Sequence, residues 1–246
     1  MYHRQVVHLR RLVSLAPLLL IIIMPFINPV ARAMTPPLRI DGVGTDTICQ
    51  ALGCTAQSLT TTQPDDVIVA VAECGFLRCE GSLSSVIDSS GLSFSLRVSY
   101  TAGDTLWEYF ARAASPLVSD NITAMFVNSV SIMQVFAIHG ANTAAIFDPS
   151  PYIPITVPCA GVEFLPCSAA ITPSSVDMVI AIVAINDASA CVAPLGFTPI
   201  GEAGGFLEVD FRIAVRPHSP ILFSCTGTDP VAIIVDAVSF PLGFRL

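Results

Sequence analysis

Two hydrophobic patterns recur along the chain, and both belong to extended structure. Leu92, Phe94, Leu96, Val98 and Tyr100 alternate with Ser93, Ser95, Arg97 and Ser99, which puts every large apolar side chain on one face of a strand. Leu207, Val209, Phe211, Ile213 and Val215 alternate in the same way with Glu208, Asp210, Arg212 and Ala214. Both segments predict half-buried strands with one wet face. Residues 67–72, 178–185 and 231–238 are instead continuous Val- and Ile-rich runs bounded by Pro, Asp, Asn or Ser. They predict central strands covered on both sides. Residues 107–113 fit either a strand or a helix face. The following Ser115-Pro116 and the β-branched Ile122-Thr123 favour the strand.

The N-terminal pattern differs. His3, Arg4, Arg10 and Arg11 precede an apolar stretch over residues 12–27, and Ala31-Arg32-Ala33 supplies small residues two apart. This is the layout of a secretory signal peptide cleaved after Ala33; the apolar run is shorter than the roughly 20 residues of a spanning helix. Residues 34–62, with Pro36-Pro37, Gly42, Gly44 and Thr60-Thr61-Thr62, read as an N-terminal arm or peripheral strand. Residues 63–246 show no interdomain linker and suit one all-β domain.

Composition sharpens this picture. Of 246 residues, 53% are hydrophobic and only 12% charged, with a mean hydropathy of +0.71 and a pI near 4.7. There is no lysine, and residues 34–246 hold all 19 acidic residues. Such a chain repels nucleic acid, whose binding rests on clustered Lys and Arg. All eight cysteines, Cys49, Cys54, Cys74, Cys79, Cys159, Cys167, Cys191 and Cys225, lie beyond the leader, where oxidising conditions favour disulfides. Sequence leaves the connectivity open. Pairing neighbours (49 with 54, 74 with 79, 159 with 167, 191 with 225) closes the shortest loops, and two C-x4-C spacings leave a zinc alternative open.

The order of short landmarks carries a resemblance. Val86-Ile87-Asp88 with Gly91-Leu92, Trp107 with Ala113, Asn121-Ile122-Thr123, residues 136–140, Phe147-Asp148-Pro149, Gly196-Phe197-Thr198, residues 208–212 and residues 232–238 together resemble a domain repeated in archaeal and bacterial cell-surface proteins. The resemblance implies that residues 63–246 form an antiparallel two-sheet sandwich of jelly-roll type with an exported surface or adhesive role, and it brings no catalytic signature.

Candidate chemistry is sparse. Only His139 and His218 follow the leader, and G-x-S-x-G, H-E-x-x-H, G-x-G-x-x-G and Walker patterns are absent from the sequence. His139 reads as a strand-end histidine. Glu108, Glu208 and Asp210 are the acids a glycosidase could use, but alternation puts them on wet strand faces, where solvated carboxylates are the rule. Asp41, Asp46, Asp65, Asp66 and Asp148 could bind calcium but lack a regular D-x-D-x-D-G ladder. Trp107 is expected in the core, and Tyr152 and Phe164 are expected to pack down in Pro-flanked loops. Asn121 is the acceptor of the sequon Asn121-Ile122-Thr123 and a glycosylation candidate.

The expected function is therefore a non-enzymatic, exported cell-surface protein with a structural, adhesive or filament-forming role, without a cofactor. It would meet the membrane only during export. The expected partners are copies of itself, through donation of the arm as a strand, or another surface protein. The alternative readings are a carbohydrate-binding module with a glycan ligand and, third, a secreted glycoside hydrolase.

Overall fold

The structure, a computed structural model, describes residues 38–48, 53–75, 83–126, 131–159, 166–186, 190–192, 194–203, 205–226 and 228–241. Residues 1–37, which include the expected signal peptide, and Cys49, Cys79 and Phe164 lie outside these residues. The described residues belong to one compact unit, Thr35–Leu246. Its first half holds β1 (Arg39–Val43), β2 (Thr45–Thr47), β3 (Cys54–Leu59), β4 (Asp66–Cys74), β5 (Leu83–Ile87), β6 (Ser95–Ala102), β7 (Asp104–Ala113), β8 (Asp120–Phe126) and β9 (Ser131–His139). The second holds β10 (Ile155–Pro158), β11 (Cys167–Ile171), β12 (Asp177–Ile185), β13 (Thr198–Ala203), β14 (Leu207–Ala214), β15 (Ile221–Cys225) and β16 (Pro230–Ser239). The described fold is all-β, and its strand pairings are antiparallel.

The continuous apolar runs became the central strands because both of their faces are covered. β4 lies between β9 and β7, and β12 between β16 and β14; β4, β12 and β16 are buried along their whole length. Val67, Val69 and Val71 of β4 face Met178, Ile180 and Ile182 of β12 in a shared core. The opposite faces close two further cores. Ile68, Ala70 and Ala72 pack against Leu59, Ile122 and Ala124, and Val179, Ala181 and Val183 against Ala169, Ile171, Ile221 and Phe223.

Among the described residues, four sheets therefore stack in the order β2-β3-β8-β5, β1-β9-β4-β7-β6, β10-β16-β12-β14-β13 and β11-β15. The expectation of two sheets falls short for a physical reason: a short run of apolar residues shows that both faces of a strand are buried, not how many sheets bury them.

The two halves repeat one topology. The orders β1-β9-β4-β7-β6 and β10-β16-β12-β14-β13 correspond strand for strand, as do β3-β8 and β11-β15. Register carries the correspondence to single residues. Val69 pairs with Phe110 and Phe136, and Ile180 pairs with Phe211 and Asp236. The sequence trace is Asp66-Val67-Ile68-Val69-Ala70-Val71 against Asp177-Met178-Val179-Ile180-Ala181-Ile182.

The described residues of the arm, 38–48 and 53–62, form strands that pair within the chain. β1 pairs with β9, and β3 pairs with both β2 and β8 of the same chain. The Leu92–Tyr100 alternation also breaks. Between Leu96 and Val98 the register against β7 shifts by one residue, so Val98 and Tyr100 join the central core while Leu92 and Phe94 pack on the other side of the sheet. The extra residue of this bulge is Arg97, which is thereby re-aimed into the interior.

Because the two halves share a core, Ile182→Ala should cost about 2–5 kcal/mol. Trp107 fluorescence, which reports on the first half, and circular dichroism, which reports on both, should give coincident urea transitions. Separate transitions would show that the halves unfold independently.

Candidate functional site

The chemistry of the molecule is concentrated in carboxyl groups that the strands carry out of water. Glu108 and Asp210 have 0% exposure and Glu208 has 2%, which corrects their placement on wet faces. Alternation put these residues opposite the apolar ones correctly, but those second faces are themselves covered. Asp66, Glu73, Asp104, Asp120, Asp148, Asp177 and Asp236 are buried as well. A buried carboxylate needs a cation, several donors or a proton.

Arg97 supplies the cation at the centre. Its Nε donates to Asp236 Oδ2 at 2.7 Å and its Nη2 to Asp236 Oδ1 at 3.1 Å, with a further bond from Nη2 to the Ile153 carbonyl at 3.2 Å. The guanidinium lies 4.1 Å from the centroid of the Phe147 ring, which itself meets Phe110 edge-on at 4.9 Å. Arg97 is on β6 and Asp236 on β16, so this pair fastens one half to the other. Glu108 lies beside Asp236, and neither of its oxygens meets a donor. Burial pushes Glu108 far above the usual carboxyl range, Asp236 pushes it further, and Arg97 opposes both. Glu108, which has no cation of its own, therefore carries the proton of this pair; burial raises Asp236 as well, and the hydrogen bonds and charge of Arg97 oppose that rise.

Two more clusters follow the same logic. Burial, with the charge of Asp104 added, pushes Glu73 up to about 8. Burial pushes Asp210 to about 6, against a hydrogen bond shared with Glu208. Glu208 also accepts from the Cys191 amide, in the segment that the Cys191–Cys225 disulfide ties to β15.

A third arrangement occurs twice. Asp41 accepts from the Thr62 amide at 2.6 Å, the Thr62 hydroxyl at 2.7 Å and the Gln63 amide at 3.0 Å, and it neighbours Asp66. Asp148 accepts from the Ser150 amide at 2.8 Å, the Ser174 amide at 2.6 Å and the Ser174 hydroxyl at 2.9 Å, and it neighbours Asp177. Asp66 and Asp177 have no exposed surface. His139 ends β9, as expected of a strand-end histidine, and its Nδ1 lies 2.8 Å from Asp66 Oδ1.

The remaining expected residues are placed as follows. Cys159 pairs with Cys167 and Cys191 with Cys225; Cys54 and Cys74 are also disulfide-bonded. Asn121 is exposed on β8 and accepts from the Thr47 hydroxyl at 3.1 Å. Trp107 is in the core, edge-on to Phe126 at 5.8 Å. Tyr152 is 81% exposed, contrary to the expectation that it packs down. Of the calcium candidates, Asp46 accepts from Gln57 at 2.9 Å and Asp65 pairs with Arg112. Among the described residues no three metal-ligating side chains converge. No protein-family model, curated protein or solved structure matches the chain.

Arg97→Met leaves Asp236 buried without its cation and should cost about 3–5 kcal/mol, whereas Arg97→Met with Asp236→Leu should restore most of the loss in urea titrations at pH 7. Stability as a whole should fall as pH rises. Glu73 ionises near 4.5 in the unfolded chain but near 8 in the fold, so its contribution is complete at low pH and is lost progressively between those values. Asp210 acts in the same direction up to about 6. Melting temperatures measured from pH 4 to 9 should decline and then level, and Glu73→Gln should make the decline shallower.

Proposed function

We propose that the chain is an exported, non-enzymatic surface protein whose role is structural or adhesive and whose partner is a second copy or another surface protein. In this reading each half is a jelly-roll-type sandwich, and the two are joined back to back. The observation that carries it is how the acids are used. Glu108, Asp210 and Asp236 are buried on strands of the covered sheets, and Asp41 and Asp148 accept from loop amides and hydroxyls and so tie those loops to the strands. The disulfides point to an oxidising compartment. They clamp the outermost two-stranded sheet, joining Cys225 at the end of β15 to Cys191 and Cys167 at the start of β11 to Cys159.

The exterior supports association. The outer face of β11-β15 carries Ser168, Ala170, Leu222 and Ser224, and that of β2-β3-β8-β5 carries Thr45, Thr47, Ser58, Asn121 and Thr123. The strand residues of these faces are uncharged, with Leu222 and Ile87 exposed on them, so they offer no repulsion to another sheet. Ile48, Val118 and Leu195 are each more than 80% exposed. A second reading, glycan binding, is favoured by the exposed ring of Tyr152, since an aromatic face suits the apolar face of a sugar.

Light-scattering mass and negative-stain microscopy on residues 34–246 test the choice. Defined oligomers or filaments are expected. A stable monomer that binds on a glycan array, and loses that binding with Tyr152→Ala, would transfer the assignment to the second reading. Reduction opens the 34-residue separation closed by Cys191–Cys225 and should weaken the fold by about 2–4 kcal/mol, read as a lower melting temperature.

A further inference from the structure

The carboxyl arrangement recurs in the second half for both aspartates and for the Thr or Ser that the first of them accepts from. Asp66 opens β4 and Asp177 opens β12, at equivalent positions of the two central strands. Asp41 follows Ile40, which pairs with Ile138; Asp148 follows Phe147, which bridges to Val238. Ile138 and Val238 are themselves equivalent, opposite Val67 and Met178. In both halves the first aspartate accepts the amide and hydroxyl of a Thr or Ser in the connection leading into the central strand. In both, Oδ2 of the second aspartate is fully enclosed and meets no donor. Beside Asp66 lies the Asp41 carboxyl, and beside Asp177 lie the Asp148 carboxyl and the Ser239 hydroxyl. Two carboxyls in contact, one of them without exposed surface, favour a proton between them.

We propose that Asp41–Asp66 and Asp148–Asp177 are a duplicated pair of proton-operated latches, each of which holds the connection before its central strand closed while the two carboxyls share one proton and releases it when that proton leaves. The roles within each pair are divided. Burial raises Asp41 and Asp148, but hydrogen bonds outweigh it and hold both below the usual range: from Thr62, Gln63 and Asp66 for Asp41, and from Asp177, Ser150 and Ser174 for Asp148. Burial pushes Asp66 to about 6 and Asp177 to about 7, so these two carry the protons.

The surroundings bias each latch separately. His139 faces Asp66 from β9, Arg39 lies 3.8 Å from Asp41, and the Asp65–Arg112 pair lies one residue away along the strand. Asp148 feels Arg97 and Asp236 from the central cluster. Ser175 donates to Asp177 at 2.6 Å, and Ser239 occupies the position opposite Asp177 that His139 holds opposite Asp66. A group that is more basic in the fold than in the unfolded chain stabilises at low pH and loses that effect as pH rises through its folded value. Both latches therefore close in acid and open toward neutral or alkaline pH.

Hydrogen exchange of the Thr62, Gln63, Ser150 and Ser174 amides, corrected for intrinsic pH dependence, tests this in the full-length protein. Exchange at these amides should rise at least tenfold between pH 5 and pH 8. Asp66→Asn, which places a permanent donor beside Asp41, should abolish the rise at Thr62 and Gln63 alone. Asp177→Asn should abolish it at Ser150 and Ser174 alone. An unchanged pH response in both variants, or loops already open at pH 5 in both, would overturn the proposal. Should a variant fail to fold, carboxyl ¹³C shifts of labelled aspartates in the wild-type protein provide the second measurement. Proton loss from Asp66 and Asp177 that coincides with amide opening supports the latches, and carboxyls already ionised at pH 5 refute them.

Discussion

The two middle sheets are covered on both faces, and the rest of the structure answers to that constraint. A strand in such a position can hand its side chains to one core or another, but not to water. β4 and β12 meet the demand mostly with Val, Ile, Ala and Met, yet β4 also carries Asp66 and Glu73 inside and β12 carries Asp177. The strands beside them add Glu108, Asp210 and Asp236. Without lysine and with few arginines, the chain has more enclosed acids than cations to pair with them. One carboxylate receives Arg97 and another meets the His139 ring; the others are settled by amides, hydroxyls and protons. Acid-favoured stability is thus a consequence of how the layers are stacked, not a property of one residue.

Duplication supplies the stack, and departures from it make the two halves fit each other. Phe136 and Asp236 occupy the same register position, opposite Val69 and Ile180. Had both been apolar, the central core would have been a plain hydrophobic seam. Asp236 instead gives the second half an anion, and the bulge in β6 gives the first half the cation that reaches it. A buried, bidentate ion pair contributes little net stability over an apolar contact, but it penalises any register that separates its members. Its place at the junction suits a device that fixes how two similar halves meet. The second half also lacks partners corresponding to β2 and β5 among its described strands, and its outer sheet is tied down by disulfides instead.

Much of this was legible in the residues, and the losses have identifiable causes. The three continuous runs and the strand over residues 107–113 were readable because period and length speak directly to local geometry. β1, β2 and β3 were not, since they are short, polar and held by pairing with β9 and β8, contacts that sequence does not display. The alternation of residues 92–100 was real but was cut by a bulge that no residue type announces. Glu108 and Asp210 were assigned to the correct side of their strands and the wrong environment, because alternation names a face without saying what lies over it. The matching segments that begin at Asp66 and Asp177 were the available signal for the duplication. The carboxyl pairs needed more than that, for each joins residues about 25 to 30 positions apart whose approach only the fold creates.

The enclosed protons also bear on association. A formal charge of -8 at pH 7 counts every acid as ionised, yet Glu73, Glu108 and Asp177 are pushed by burial toward or beyond neutrality. Each proton held inside removes one unit of negative charge from the field that one copy presents to the next. Lowering the pH therefore works in one direction on two levels, closing the connections into the central strands and weakening the repulsion between uncharged sheet faces on acidic molecules. A surface assembly made from this chain would gain order within its subunits and cohesion between them from the same change in its surroundings.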